Sequence, residues 1–119
     1  MSSAIVIIPT FNEAHNIGRM IDRIMELQAE VDGLVVDDGS PDGTAGIVQK
    51  KRTEYSDRVF LIERDAKRGL GTAYVEGFKF ALRKGYSYIC EMDADFSHSP
   101  EDLPGLIQAV ESGSADVAV

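Results

Sequence analysis

Two acidic clusters carry residue types and spacings that can do chemistry. The apolar pair Val35-Val36 runs straight into Asp37-Asp38, and Gly39-Ser40-Pro41-Asp42-Gly43-Thr44 follows as a glycine-bearing turn. A second apolar run, Tyr86 to Met92, ends in Asp93-Ala94-Asp95. Burying an unpartnered carboxylate is costly, so acids that close a strand belong at an open crevice where they find a partner. Asp93 and Asp95 are separated by one residue. In extended backbone their side chains point the same way and can share a hard divalent ion, Mg²⁺ or Mn²⁺. Without that ion the pair would repel a diphosphate by roughly several kcal/mol at an effective dielectric of about 20; with it, the pair becomes a diphosphate anchor. Asp37 and Asp38 can accept hydrogen bonds from a base N–H or a ribose hydroxyl. The plainer alternatives are a solvated turn before Phe96 and a cap-and-turn role after Val36. Asp42, which directly precedes the second helix, is the better residue for a structural cap.

The remaining candidates say less. Lys67-Arg68-Gly69-Leu70-Gly71 is a basic, glycine-bearing loop at a helix N-terminus, where backbone N–H groups favour anions; a solvated turn with its cations in water reads equally well. It is not a P-loop, and no G-x-G-x-x-G follows the first strand. His98 can touch a metal or phosphate or stand in water, and His15 reads as an ordinary helix residue. Cys90 reads as a small buried apolar side chain. Tyr74, Phe78, Tyr86 and Tyr88 read as core or sheet aromatics. No Ser-His-Asp or Cys-His arrangement can be argued.

The elements that must position these residues follow from periodicity. Ala4 to Ile8 is continuously apolar and β-branched, the mark of a strand buried on both faces, and Pro9 closes it. A helix is expected from about Glu13, capped by Asn12, with Ile17, Met20, Ile21, Ile24 and Leu27 on one stripe. Leu34 to Val36 is a second strand, and Asp42 caps a helix through Ile47 and Val48. Val59 to Ile62 is a third strand. A third helix buries Leu70, Tyr74, Phe78, Ala81 and Leu82 and stops at Gly85. Tyr86 to Met92 is a fourth strand. Ser99-Pro100-Glu101-Asp102 starts a fourth helix, Gly113 ends it, and Ala115 to Val119 begins a fifth strand.

Strict β-α alternation implies an α/β fold, a parallel sheet with helices on both faces. In the doubly wound order 3-2-1-4 the switch point lies between strands 1 and 4. Three polar clusters then meet at one crevice: Pro9-Thr10-Phe11-Asn12-Glu13, Asp37-Asp38 and Asp93-Ala94-Asp95. Their coincidence carries more weight than any one motif.

Composition agrees. The 119 residues are one domain's worth, 44% hydrophobic and 27% charged, as in ordinary globular proteins. A net charge of −8 argues against a nucleic-acid partner. It also means that a phosphorylated ligand needs a cation or backbone N–H groups beside it. One cysteine excludes an intrachain disulfide and fits a reducing compartment. No signal peptide and no apolar run of about 18 residues is read, so any membrane contact is expected to be peripheral or made by a part outside this sequence.

Taken together these residues resemble family 2 glycosyltransferases of the GT-A fold, and most closely the polyprenyl- and dolichyl-phosphate mannose synthases. Ile8-Pro9-Thr10-Phe11-Asn12-Glu13 is similar to that group's "IPTYNE", with Phe11 where tyrosine is common. Val36 to Thr44 matches "VDDGSPDGT", Gly69 to Tyr74 matches "GLGTAY", and Met92 to His98 is similar to "MDADLSH". The resemblance covers this chain but only the first half of the family's catalytic domain. The chain is therefore expected to be the Rossmann-like, three-layer α/β/α nucleotide-binding half of a GT-A fold, a single unit over 1–119 cut within strand five. As a piece it is expected to be inactive and prone to self-association through an exposed edge strand.

The resemblance implies that Pro9, Phe11, Glu13, Asp37 and Asp38 hold the nucleotide. It places Asp93, Ala94 and Asp95 at the ribose and diphosphate, Asp93 and Asp95 as catalytic residues, and Asp93, Asp95 and Ser97 at the metal. The implied reaction is inverting transfer of mannose from GDP-mannose to a polyprenyl phosphate, using Mg²⁺ or Mn²⁺, in the cytoplasm or at the cytoplasmic membrane face. The alternatives are another family 2 enzyme using a UDP-sugar, and a phosphoreceiver-type signalling domain. The latter would need acids after strand one, where this chain has Pro9 to Glu13.

Overall fold

The computed structural model describes residues 4–27, 31–65 and 70–94. Four parallel strands, β1 (Ala4–Thr10), β2 (Val31–Asp37), β3 (Val59–Glu63) and β4 (Tyr88–Glu91), form one sheet in the order β3-β2-β1-β4. The helices are α1 (Ile17–Met25), α2 (Thr44–Glu54) and α3 (Leu70–Lys84). Fold class and strand order are those expected from the alternation. The expected fourth helix and fifth strand lie outside the described residues.

Strand period explains the layers. Ala4, Val6 and Ile8 of β1 point to one face and pack with Ile17, Met20, Ile21 and Ile24 of α1 and Val48 of α2. Ile5 and Ile7 point to the other and pack with Ala73 and Ala81 of α3. The central strands β1 and β2 are buried on both faces, which is why Ala4 to Ile8 needs no polar alternation.

Pro9 does not close β1; it pairs in register with Val36, and the strand continues to Thr10. Ile7 turns its carbonyl towards β4, where it accepts from Met92 N–H. Two residues later the nitrogen of Pro9 faces the same side, past the last residue of β4, so its missing donor breaks no ladder bond.

The start of α1 also differs. Asn12 is no cap: it sits in the left-handed region at φ 57°, and the helix begins at Ile17. The reason lies in the next loop. The N–H groups of Asn12, Glu13 and Ala14 donate to Ser40 Oγ (2.8 Å), Thr44 Oγ1 (3.1 Å) and Asp42 Oδ2 (3.1 Å). With these acceptors supplied from outside, the segment has no need of helical partners. Asp42 is structural, as expected: its other oxygen accepts from the Thr44 N–H (3.1 Å) and hydroxyl (2.5 Å) at the start of α2. These bonds hold its carboxyl below the usual range.

Helix α3 ends as expected. Gly85 is left-handed at φ 85°, its N–H donates to Leu82 O, and Tyr86 N–H donates to Ala81 O. The expected buried stripe needs correction, because Leu82 is exposed at 68%. The buried arc is centred on Ala73, Gly77 and Ala81, one turn apart, and Leu82 is rotated about 100° from Ala81. Small residues there let α3 lie close to β1. A Cβ on Gly77 would come within 2.6 Å of Ile7 Cγ2. Gly77→Ala is therefore expected to destabilise by about 1–3 kcal/mol through overpacking, despite alanine's better helix propensity. Urea unfolding of the two chains checks this.

Candidate active site

The carboxyl ends of β2, β1 and β4 lie side by side, and the sheet register brings the acidic clusters there. Thr10 is opposite Asp37; Ile7 is opposite Glu91, which places Asp93 two residues further along, at the level of Pro9. Residues 37, 38 and 93 thus stand at one edge of the sheet, next to the Phe11–Glu13 loop. Asp95 and Ser97 lie outside the described residues, as do His98 and the basic segment 67–69.

Period two splits the adjacent acids. Asp37 shares the α1/α2 face with Val31 and Val35, and Asp38 shares the α3 face with Leu34 and Val36. Asp37 is buried and heavily used by the protein itself. Its Oδ1 accepts from Thr10 Oγ1 (2.7 Å) and Ser40 Oγ (2.6 Å), and its Oδ2 from Ser40 N–H (3.0 Å). This carboxylate ties the end of β1 to the turn after β2.

Asp38 is dressed differently. Its Oδ1 accepts from Nε of Arg64, at 2.5 Å, and both side chains are almost fully buried. The Arg64 Nη1 continues to Thr72 Oγ1 (3.0 Å) and Glu76 Oε1 (3.3 Å) on α3. The contact with Asp38, and then Glu76, holds the guanidinium firmly charged against the effect of burial. Sequence reasoning passed over Arg64, although the signal used for Asp37 was present there too: a charged residue where an apolar strand, Phe60 to Ile62, gives way to a loop.

Just past β4, Asp93 is half-buried and accepts from the Tyr74 hydroxyl at 3.3 Å. Tyr74 packs in the α3-side core as expected, but its hydroxyl faces this acid. Burial, with Asp93 adding to it, pushes the phenol pKa up, so the hydroxyl stays a donor. Glu91 lies on the same face, and burial followed by the nearby Asp93 charge raises its carboxyl pKa. Among the described residues neither Asp93 nor Glu91 forms an ion pair. This local excess of hard, anionic oxygen suits a divalent cation. Among the described residues no three metal-binding side chains converge.

Phe11 and Glu13 are half-buried, and Glu13 Oε2 accepts from Asn16 Nδ2 (3.3 Å). Ala94 is buried in the α1-side core, so its side chain is turned away from the cleft and only its backbone can meet a ligand. His15 is exposed. Cys90 is buried and its thiol pushed up to about 11 by burial, as suits an inert core residue.

Fold and cleft together define an α/β protein whose polar loops meet at the strand 1/strand 4 switch point. The family model for glycosyl transferase family 2 matches residues 5–119, and the chain belongs to that family. It is 48% identical over 115 residues to the polyprenol monophosphomannose synthase of Mycolicibacterium smegmatis, covering 97% of this chain and 43% of that protein. It is 43% identical to the undecaprenyl-phosphate mannosyltransferase of Micrococcus luteus, covering 97% of this chain and 46% of that one. The chain thus spans less than half the length of these relatives. Among solved structures, the mannosyltransferase PcManGT from Pyrobaculum calidifontis, in complex with GDP-Man and Mn²⁺, superposes with a TM-score of 0.75. That likeness holds at 29% identity over 91% of this chain and 32% of that one. Family membership sets aside the phosphoreceiver alternative. Among the described residues no helix is long and apolar enough to cross a membrane.

Proposed function

We propose that this chain is the donor-binding part of an inverting mannosyltransferase that moves mannose from GDP-mannose to a polyprenyl phosphate. The single observation that carries the reading is the meeting of Asp37, Asp38 and Asp93 at the carboxyl edge of one parallel sheet, beside the Pro9–Glu13 loop. The names of the relatives and the GDP-Man and Mn²⁺ bound to the structural neighbour support the choice of sugar nucleotide.

In this reading Pro9, Phe11, Glu13, Asp37 and Asp38 form the nucleoside end of the cleft. Asp38 accepts hydrogen bonds from the base or ribose, and Asp37 keeps the β1 and β2 loops in register around it. Asp93 and Asp95, with the Ala94 backbone and Ser97, form the diphosphate end and hold Mg²⁺ or Mn²⁺. When bound, that cation stabilises the negative charge of the departing diphosphate. The acceptor phosphate is already anionic at neutral pH, so the protein's task is alignment and charge stabilisation rather than removal of a proton. The acceptor is presented at a membrane surface. Residues 1–119 are one donor-binding unit, and lipid-linked mannose is not expected from this chain by itself.

Calorimetric titration with GDP-mannose and with UDP-glucose, each with Mn²⁺, tests the donor. GDP-mannose is expected to bind at least about tenfold more tightly, or about 1.4 kcal/mol. Tighter binding of UDP-glucose would overturn the mannosyl assignment in favour of a UDP-sugar donor.

A further inference from the structure

We propose that the first two turns of α3 are a brace that sets the two acidic stations of the cleft relative to each other, with Arg64 and Tyr74 as its positioning residues. The inference rests on the functional reading above. The Gly69-Leu70-Gly71-Thr72-Ala73-Tyr74 segment is a prominent part of the sequence resemblance, yet none of its residues has a ligand role in that reading. The structure gives two of them another task.

Asp38 and Asp93 follow directly on the ends of β2 and β4, which have β1 between them. Strands two apart are separated by roughly 10 Å, too far for the carboxylates to fix one another directly. Both face α3. Thr72 and Glu76, four residues apart on one side of the helix, both accept from Arg64 Nη1, whose Nε holds Asp38. Tyr74, between them in sequence, directs its hydroxyl to Asp93. The close approach of α3 to β1 at Gly77 fixes this helix against the strand that separates the two stations. The contacts therefore form one chain: Asp38, Arg64, the Thr72–Glu76 turn, Tyr74, Asp93.

The two ends of the brace are chemically unlike, and the difference suits two tasks. Asp38 is held by a guanidinium that it shares with Glu76, so it is a fixed and partly neutralised acceptor, which suits a neutral base or ribose. Asp93 is held by a neutral hydroxyl, so it is oriented while keeping its negative charge for a cation. Swapping these partners would weaken both stations.

The test separates the ends. Affinities of the whole chain are measured for guanosine monophosphate without metal and for GDP-mannose with and without Mn²⁺, alongside the melting midpoint. Tyr74→Phe deletes one oxygen. It is expected to leave guanosine monophosphate binding within about twofold and to cut the Mn²⁺-dependent gain for GDP-mannose about fivefold. Arg64→Lys keeps the charge but loses the fork. It is expected to weaken guanosine monophosphate about fivefold and to keep the Mn²⁺-dependent gain. A merely structural role would weaken both ligands in parallel with the melting midpoint in each variant, and that result would overturn the brace, as would unchanged binding in Tyr74→Phe. Absence of any Mn²⁺-dependent gain in the unsubstituted chain would overturn the functional reading itself, and this inference with it, before any substitution is compared.

Discussion

Arg64→Ala is expected to cost about 3–5 kcal/mol of folding stability, the penalty for leaving a buried carboxylate without its cation. The side chains of Arg64 and Asp38 are 2% and 8% exposed, so water cannot replace the lost partner. Stability of a domain this size is about 5–15 kcal/mol, and the loss is therefore a large share of it. The pair itself need not be a net source of stability, because its attraction is set against the cost of drying two charges. The double variant Asp38→Asn/Arg64→Met, which removes both charges and keeps side-chain bulk, is accordingly expected to be much more stable than Arg64→Ala alone. Urea unfolding of the three chains checks this. Equal loss in the single and double variants would contradict this, because relieving the stranded Asp38 charge would then recover nothing. If the double variant folds but no longer binds nucleotide, the ion pair is present for the ligand, as the site reading requires.

The same residues show what sequence reasoning could and could not reach. The sheet was legible because burial on both faces leaves a plain signature: Ala4 to Ile8 contains no polar residue, and the structure makes it a central strand. The cleft was legible because topology alone brings the ends of β1, β2 and β4 together, so Asp37, Asp38 and Asp93 could be assigned to one edge without knowledge of any contact. What failed depended on partners distant in the chain. Asn12 looks like a cap, but its loop is held by hydroxyl and carboxylate groups of residues 40–44. Leu82 looks like core, but the helix is pulled inward on a glycine and two alanines, which a search for large apolar residues discounts. Arg64 was passed over because its partner Asp38 lies 26 residues earlier and is placed beside it only by the β2–β3 pairing. The opposite facing of Asp37 and Asp38 was available from strand period alone, and it already implies that two adjacent aspartates cannot share one task.

Asp93→Ala and Asp95→Ala are expected to abolish the gain in GDP-mannose affinity that Mn²⁺ provides. The reduction should exceed about a hundredfold in metal affinity, because removing groups that merely support metal ligands already costs about 10–100-fold. For Asp93→Ala the effect on folding should be small. The Asp93 charge adds to burial in raising the Glu91 carboxyl pKa, so at neutral pH a disfavoured carboxylate is held next to a like charge. A carboxyl raised in the folded state opposes folding once the pH exceeds its unfolded value, and removing Asp93 relieves part of that opposition. The lost Tyr74 hydrogen bond acts in the opposite direction, so the melting midpoint of Asp93→Ala at pH 7 is expected to stay close to that of the unsubstituted chain. Lost binding with undiminished stability is the pattern of a residue kept for its ligand.

The most direct measurement is a calorimetric titration of GDP-mannose into the unsubstituted chain and into Asp95→Ala, each with Mn²⁺ and with the ion removed by chelation. The account predicts strong ion dependence in the first and none in the second. Equal GDP-mannose affinity in all four titrations would contradict it, because the acidic edge of the sheet would then have no part in holding the sugar nucleotide.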